Sequence, residues 1–517
     1  MRSLLFPVAF FALAAGCNSS TTDTPDSGTP DAGGGPLLLQ PGEVAELTLD
    51  GSGIAGEHLA TPTGTEKFVV ILASTKMAIQ GTEAGYSIDA SAAPDPSAGP
   101  STIVTGCSMT STPWSSSTPP SETVPTGTAP AIGTTRTITI STGIVGEPAD
   151  LKVIATGKTA VVWADVTPAH PAVLDDTFVQ QFLADFENTI MPRERSVFGV
   201  ESDLDADGHV QLVFSPLTRN TAVAFFSGCD LKADLAGCNV NNGGEFLYLT
   251  PPNAIDPPYN TPAAIKEILA HETSHMIHFN RKVLRNKTPK WTDSGYMIEG
   301  IGGFAQDVIG YQAGNLYVAM AGLDGMSQFS LADTLVDNRA YDTKRDGVLR
   351  GGSYLFVRWL YDRAGGDTAN PDGTITGVGG TTFLRAALDA SPSVAQALPD
   401  LTKASVADIT TDFYTALAMS NRDAMGGVAP KNACFSYLPT VTDPVTSSQR
   451  GTNVYAKFHG IQMKGPTVTP LAKADGKIRV GGVDYLQLDA VADQKQLDFT
   501  VTLDPNIAPR VRVARIK

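Results

Sequence analysis

Residues 261–280 read TPAAIKEILAHETSHMIHFN, and this stretch decides how the middle of the chain folds. Thr261 before Pro262 predicts a helix start, because the hydroxyl caps free amide groups and proline suits the first helical position. The apolar residues that follow recur at helical spacing and predict one buried face: Ile265, Ile268, Leu269, Met276 and Phe279. We therefore predict a helix from residue 262 to about residue 284.

Two histidines on this helix, His271 and His275, lie four residues apart. One turn separates them, so both imidazoles project from the same side and can bind one Zn²⁺ ion at about 2.1 Å. Glu272 lies about 100° around the helix from His271, where it reaches a water molecule at the metal rather than the metal itself. The His-Glu-x-x-His pattern therefore predicts a zinc site with Glu272 as general base.

A zinc hydrolase needs a third protein ligand and an open position for water. His278 is excluded, because it lies roughly 10 Å from His271 along the helix axis. Glu299 is the last glutamate of the sequence and lies near the start of a second helical run. Asp293 is the rival ligand, but its place before that helix suits a cap better. We predict Glu299 as the third ligand.

These motifs resemble those of the gluzincin metallopeptidases, and within them the hyicolysin-type family of secreted bacterial enzymes. The resemblance rests on HETSHMIHFN at residues 271–280 and MIEG at residues 297–300, with weaker echoes over roughly residues 175–420. It implies a zinc metallopeptidase domain that hydrolyses peptide bonds. The family usually has a tryptophan two or three residues before the glutamate, whereas Trp291 here precedes Glu299 by eight.

Two further features follow from this resemblance. Gluzincins have a tyrosine or histidine that donates to the developing oxyanion; Tyr354 is the candidate, with Tyr341 behind it, and a packing role is the alternative for both. They also have a strand beside the cleft, to which the substrate backbone pairs. Residues 245–249 fit either that strand or a strand of the core.

Residues 203–208 read DLDADG, which is similar to the first half of an EF-hand-type calcium loop. Asp203, Asp205 and Asp207 occupy the alternating positions whose carboxylates bind Ca²⁺ in such loops. Position 12 of the loop falls on Phe214 instead of the usual glutamate. The sequence therefore leaves open a shortened calcium site or a turn between strands.

Charged residues around the zinc helices have alternative roles. Asp307 either braces a zinc-bound histidine or lies on a solvated helix face. A basic cluster follows the zinc helix, and it either complements the helix C-terminus or contacts an acidic substrate: Arg281, Lys282, Arg285, Lys287 and Lys290.

The first 17 residues read as a bacterial export signal that ends in a lipobox. Arg2 supplies the positive region, residues 4–15 the apolar run, and small residues precede Cys17. Such a cysteine is acylated in bacterial lipoproteins, so we predict a lipid anchor on Cys17, with a plain cleaved signal peptide as the alternative. The protein is then expected outside the cytoplasm, on the outer membrane or cell surface, or secreted.

Four further cysteines remain, and an even number in an exported chain indicates disulfides. Cys229 and Cys238 flank a short polar loop and are predicted to pair. Whether Cys107 pairs with Cys434 is left open.

Composition divides the chain after the signal peptide of residues 1–17. Residues 18–35 are a polar, flexible tether. Short β-branched runs predict a β-sandwich over residues 36–166. Residues 167–430 predict the α+β metallopeptidase domain, whose second half is mostly helical, and residues 431–517 predict a C-terminal β domain.

The net charge of −16 argues against nucleic acid as a partner, because phosphate binding needs a basic face. We expect a protein or peptide substrate. The alternative is a catalytically inactive, metallopeptidase-like surface lipoprotein that acts as a binding module, although such a module has no need of Glu272. Zinc-dependent hydrolysis of a non-peptide amide is a third possibility, and the sequence leaves the oligomeric state open.

Overall fold

The structure, a computed structural model, describes residues 35–517 except for 79–82, 92–98, 111–113, 115–116, 143–144, 258, 312–314, 337–343 and 472. The predicted signal peptide, Cys17, almost all of the tether and Tyr341 lie outside the described residues. The fold is mixed α+β, which confirms the predicted class. Within the described part, no helix is both long and apolar enough to cross a bilayer.

Strands dominate the first half of the chain, where β-branched and alternating runs lie between turns rich in Gly and Pro. They are β1 (Val44–Leu47), β2 (Ile54–Ala60), β3 (Lys67–Ser74), β4 (Glu83–Asp89), β5 (Thr102–Ile103), β6 (Thr135–Ser141), β7 (Gly146–Thr156), β8 (Ala160–Asp165), β9 (Val210–Phe214), β10 (Ala224–Phe226) and β11 (Phe246–Leu249).

Helices dominate after Thr261, as predicted. The helices are α1 (Asp176–Asp185), α2 (Met191–Val197), α3 (Gly228–Leu231), α4 (Pro262–Phe279), α5 (Gly295–Ile309), α6 (Asn315–Asp324), α7 (Leu331–Val336), α8 (Asp346–Arg363), α9 (Gly380–Asp389), α10 (Val394–Thr402) and α11 (Val406–Met419). The Thr261 side chain caps α4 by accepting a hydrogen bond from the backbone N–H of Ala264. A π-helical segment, Asn280–Arg285, continues α4 to the predicted end of the helix.

Strands return toward the C-terminus. They are β12 (Asp367–Ala369), β13 (Ile375–Gly377), β14 (Val441–Thr442), β15 (Gln449–Arg450), β16 (Lys457–Phe458), β17 (Ile461–Gln462), β18 (Thr469–Pro470), β19 (Lys473–Arg479), β20 (Val483–Asp489), β21 (Gln496–Leu503) and β22 (Pro509–Arg515).

Two sheets with a shared apolar core form a β-sandwich from both ends of the chain. One sheet has the strand order β18-β20-β3-β22-β1-β5, and the other has the order β19-β4-β21-β2. Phe68 and Leu486 of the first sheet and Phe499 of the second belong to the same core. Alternate residues of β3, such as Ile71, belong instead to the main core that includes the helices.

A mixed sheet of order β10-β11-β9-β8-β7-β6 supports the candidate site. Strands β8, β9 and β11 run parallel, and β10 pairs antiparallel with β11 at the edge. The strand predicted at residues 245–249 is therefore an inner strand, in line with the core alternative. The sheet edge beside the site is β10.

Strand pairing divides the β structure differently from the predicted domains. Strands β6 to β8 fall within the predicted sandwich of residues 36–166, yet they belong to the sheet that carries the site. Strands β18 to β22 fall within the predicted domain of residues 431–517, yet they complete the sandwich. Residues 36–517 form one compact unit. The sequence hides this arrangement because the partners, such as Leu59 and Leu497, are remote in the chain.

Two disulfides link the cysteines. The predicted bond between Cys229 and Cys238 is confirmed. Cys107 bonds to Cys434, which answers the question that the sequence left open.

Candidate metal centre

A cleft of about 560 Å³ opens beside α4, and β10, α5 and α8 also contribute to its lining. It is where the structure places the predicted catalytic and ligand side chains. The lining includes His271, Glu272, His275, Glu299, Gln306, Arg350 and Tyr354, together with residues 222–226 at the sheet edge.

Three side chains from two helices converge in this cleft. His271 and His275 come from α4 and Glu299 from α5, and one ligand atom of each lies within 4.8 Å of the others. Nε2 of His271 is 3.3 Å from Oε2 of Glu299, and Nε2 of His275 is 4.0 Å from Oε1 of Glu299. The three side chains are 13%, 10% and 12% exposed. Two imidazole nitrogens and one carboxylate in this arrangement can hold a metal ion.

Helix α5 approaches α4 very closely at Gly302. A Cβ atom at this position would lie 2.5 Å from Cε1 of His271 and 2.6 Å from its Nε2. Such distances are far inside van der Waals contact, so any larger residue would displace the imidazole. The glycine in the run after Glu299 therefore allows the two ligand-bearing helices to pack together.

Glu272 is directed to the sheet edge and lies outside the group of three ligand side chains. Its Oε2 accepts a hydrogen bond of 3.0 Å from the backbone N–H of Phe226 in β10. Burial raises the pKa of Glu272 to about 7, although the neighbouring charge of His271 opposes this shift.

The electrostatic surroundings of Glu299 differ from those of Glu272. Burial opposes its ionisation, but the hydrogen bond to His271 and the charges of His271, His275 and Arg350 hold the pKa of Glu299 well below its usual range. Burial and the charge of His271 lower the pKa of His275 to about 3. The cleft thus keeps the Glu299 carboxylate ionised and gives Glu272 a pKa near 7. The first property suits a metal ligand and the second suits a proton acceptor.

Asp293, the rival third ligand, is occupied elsewhere. Its Oδ2 lies 2.9 Å from Nε2 of His278 and 3.6 Å from Nζ of Lys282, and its Oδ1 accepts a hydrogen bond from the backbone N–H of Val394. All three charged or titratable side chains are buried. The structure therefore brings Glu299, not Asp293, to the histidine pair. The expected cap of α5 is also corrected, because Ser294 fills that role.

Tyr354 lines the cleft from the middle of α8. Its hydroxyl donates a hydrogen bond of 3.1 Å to Oδ2 of Asp307. Asp307 is fully buried and also accepts from Arg358 and from the backbone N–H of Gly451. The predicted solvated position of Asp307 is therefore wrong. Among the described residues, the hydrogen-bond partners of Asp307 include neither His271 nor His275, so the other prediction, that Asp307 braces a zinc-bound histidine, finds no support.

Arg350 is a cleft residue that the sequence analysis missed. Its Nη1 bonds to Oε2 of Glu299, and its Nε bonds to Oδ2 of Asp346 at 2.9 Å. A positive charge therefore lies beside the ligand carboxylate. Arg350 precedes Tyr354 by four residues, one helical turn. This spacing is the sequence feature that could have indicated that both side chains face the cleft.

The basic cluster after α4 is mostly directed into the protein. Arg281 bonds to Glu122 and Asp389, and Arg285 bonds to Glu122. Lys282 is buried and bonds to backbone carbonyls near the end of α9. These contacts connect α4 to the rest of the fold, so the expected contact surface for an acidic substrate is not supported at Arg281 or Lys282.

A second group of acidic side chains lies at the start of β9 and β11. Asp203, Asp205 and Glu245 each place one carboxylate oxygen within 4.8 Å of the others, so this group can also hold a metal ion. Asp207, which we predicted as a ligand, is not a member. Its two oxygens accept hydrogen bonds from the backbone N–H of His209 and from Nε2 of Gln211. Glu245 takes the place of Asp207 in this group. From the sequence, Glu245 was expected only as part of a strand.

No protein-family model matches the sequence, and a search of curated proteins finds no match.

Proposed function

We propose that this protein is a zinc-dependent peptidase of the gluzincin type. The observation that carries the proposal is the convergence of His271, His275 and Glu299 in an open cleft, with Glu272 beside them. The chain would act outside the cytoplasm, secreted or held at a membrane through a lipid on Cys17.

The separations between the ligand atoms support zinc as the metal. Tetrahedral bonds of about 2.0–2.1 Å place zinc ligands about 3.3 Å apart. The two separations of 3.3 and 4.0 Å between histidine nitrogens and the Glu299 carboxylate are close to this value. Two histidines and one glutamate also leave the fourth position that a catalytic zinc site needs.

The side chains of the cleft divide the chemical work among them. A bound zinc ion would polarise the scissile carbonyl and acidify water. Glu272 would take the proton from the attacking water and deliver it to the leaving amine, and its raised pKa suits both transfers. The backbone N–H of Phe226 would hold this carboxylate in place. Tyr354 remains the predicted donor to the carbonyl oxygen, and its one hydroxyl proton, which it gives to Asp307 in this structure, would have to turn toward the substrate to fill that role.

Strand β10 is our candidate for the surface that receives the substrate. It ends the sheet, and residues 222–226 line the cleft. An extended peptide can pair its backbone with such an edge. Because Phe226 belongs to this strand and also binds Glu272, a peptide on β10 would lie next to the proton acceptor.

The experiment measures casein hydrolysis by the purified protein before and after zinc removal. We expect hydrolysis to disappear with the zinc and to return when one equivalent per chain is restored. The Asp256→Asn variant is the control, since the Asp256 side chain is 81% exposed and lies outside the cleft, and it should keep full zinc-dependent hydrolysis. Retained hydrolysis without metal would contradict the proposal. Bound zinc without hydrolysis of casein or other peptides would favour the binding lipoprotein.

A further inference from the structure

Glu245 is a buried carboxylate with an unsatisfied oxygen. The residue is 1% exposed. Its Oε1 accepts a hydrogen bond of 3.0 Å from the backbone N–H of Leu204, whereas its Oε2 has no hydrogen-bond partner among the described residues. Leaving a buried carboxylate oxygen without a partner is costly. The nearby Ser202 hydroxyl forms no hydrogen bond that meets the usual geometry within the described residues, so the position suits a cation from outside the protein.

The Glu245 carboxyl faces two aspartates of the loop before β9. Asp203 and Asp205 place carboxylate oxygens within 4.8 Å of it. One oxygen of each aspartate also serves the loop, since Oδ1 of Asp203 accepts from the N–H of Gly208 and Oδ1 of Asp205 from that of Asp207. No lysine or arginine forms an ion pair with these three carboxylates in the described part of the chain.

Parallel strand pairing explains how Glu245 reaches this loop. Phe246 in β11 lies opposite Gln211 in β9, and Glu245 accepts the N–H of Gln211 through its own carbonyl. Glu245 therefore lies beside the end of the aspartate loop. Gly244 permits the approach, because a Cβ atom there would lie 2.9 Å from Oδ2 of Asp205.

We propose that Asp203, Asp205 and Glu245 bind one Ca²⁺ ion. In this arrangement Glu245 from the neighbouring strand provides the carboxylate that an EF-hand loop carries at position 12. The site is distinct from the histidine centre, and the proposal does not depend on hydrolysis.

The ligand chemistry favours calcium over the alternatives. All three side chains offer oxygen, the atom that Ca²⁺ prefers, and none offers the nitrogen or sulfur typical of zinc sites. Ca²⁺ takes six to eight oxygens at about 2.3–2.6 Å, so ligand oxygens up to about 5 Å apart can share one ion. Mg²⁺ needs shorter bonds in a near-ideal octahedron, which a loop and a separate strand are less suited to provide.

Calcium would connect the loop to the sheet that borders the cleft. Glu245 precedes β11, and Leu247 of β11 pairs with Phe226 of β10. Phe226 in turn binds Glu272. We therefore expect calcium to stabilise the edge of this sheet rather than to take part in the chemistry.

The test is a calcium titration of the purified protein by calorimetry, after calcium depletion, with the thermal unfolding midpoint recorded alongside. We expect one Ca²⁺ per chain with a dissociation constant on the order of 10⁻⁴ M or tighter, and a higher midpoint with calcium. Glu245→Gln keeps the shape of the side chain and a hydrogen-bond acceptor. It is expected to weaken calcium binding at least about tenfold, because ligand charge sets affinity.

Asp207→Asn is the matched control within the same loop. Asp207 already uses both oxygens for His209 and Gln211, so this variant should change calcium affinity less than about threefold. Absence of binding by the wild-type protein at millimolar calcium would overturn the proposal. So would equal affinity in the wild-type and Glu245→Gln proteins, or a larger loss in Asp207→Asn than in Glu245→Gln. A circular dichroism spectrum of each variant confirms that the fold is kept.

Discussion

Helix α4 and the segment that follows it contribute to two histidine–carboxylate clusters with opposite characters. We call them the open cluster (His271, His275 and Glu299) and the closed cluster (His278, Asp293 and Lys282). In the open cluster, two histidines face one carboxylate in a cleft of about 560 Å³. In the closed cluster, one histidine lies 2.9 Å from its own aspartate, and the side chains of both are at most 1% exposed.

The difference teaches that residue type alone does not make a metal ligand. The closed cluster balances its charges internally, because Lys282 lies 3.6 Å from the Asp293 carboxylate. His278 already uses its Nε2 for Asp293, and no possible metal-binding group among the described residues includes this histidine. The open cluster joins two imidazoles to a single carboxylate beside solvent, and that arrangement leaves room for a cation. Variants of the two clusters should therefore differ in their effects on hydrolysis, zinc binding and stability.

The largest expected effect comes from Glu272→Gln beside the open cluster. The amide cannot accept a proton, so casein hydrolysis should fall by about 10²–10⁴-fold. Zinc content should stay unchanged, because Glu272 lies outside the ligand group. Hydrolysis assays together with metal analysis check both statements. Unchanged hydrolysis would remove Glu272 from the chemistry.

The next effect concerns stability and comes from the closed cluster. Asp293→Ala leaves His278 and Lys282 buried without their partner, so the free energy of unfolding should fall by about 3–5 kcal/mol. Urea unfolding measures this loss. Asp256→Ala is the control, since the Asp256 side chain is 81% exposed and forms a surface ion pair with Arg219. Its cost should stay below about 1 kcal/mol.

A smaller effect follows from enlarging Gly302. The added methyl group of Gly302→Ala would displace the His271 imidazole, and zinc affinity should fall by about 10–100-fold, as for other losses of ligand positioning. Competition with a fluorescent chelator measures the affinity. Gly347→Ala in α8 is the matched helical control, because the nearest atom to its Cβ would be 3.8 Å away. If Gly302→Ala bound zinc as tightly as Gly347→Ala, the close helix contact would be irrelevant to the site.

The smallest expected effect is a pH dependence that belongs to the closed cluster. Burial lowers the pKa of His278 below its usual 6.5, even though the bond to Asp293 opposes this shift. The unfolded chain therefore binds a proton at His278 more readily than the folded protein. Stability from this residue is present above pH 6.5 and is lost as the pH falls toward the folded pKa.

Urea unfolding of zinc-free protein between pH 7 and about 5 checks this dependence. His278→Gln should reduce the slope of unfolding free energy against pH over this range. Asp293 contributes little to the slope there, because its pKa lies below its usual 3.8. An unchanged slope in the variant would contradict the assignment.

The helical part of the open cluster could be predicted from the sequence because its information is local. His271 and His275 face one side through the helical repeat alone, and the capping residue Thr261 marks where the helix begins. Glu299 followed from its position as the last glutamate after this helix. No sequence pattern links Arg350 to Glu299, since that contact depends on the packing of α8 against α5.

The strand-borne features could not be predicted, because pairing partners are set by tertiary context. Glu245 meets Asp203 only because β11 runs parallel to β9. Strands from the two ends of the chain form one sandwich, in which Glu57 pairs with Phe499. Runs of alternating residues indicate that strands exist, but they do not state which strands are neighbours.

Zinc content distinguishes the open cluster from the closed cluster without an activity assay. Wild-type, His275→Gln and His278→Gln proteins would be purified alike and analysed for zinc by mass spectrometry. We expect about one zinc per chain in the wild-type and His278→Gln proteins and almost none in His275→Gln, since His275 belongs to the open cluster and His278 does not. Zinc lost from His278→Gln but kept in His275→Gln, or absent from the wild-type protein, would contradict this expectation.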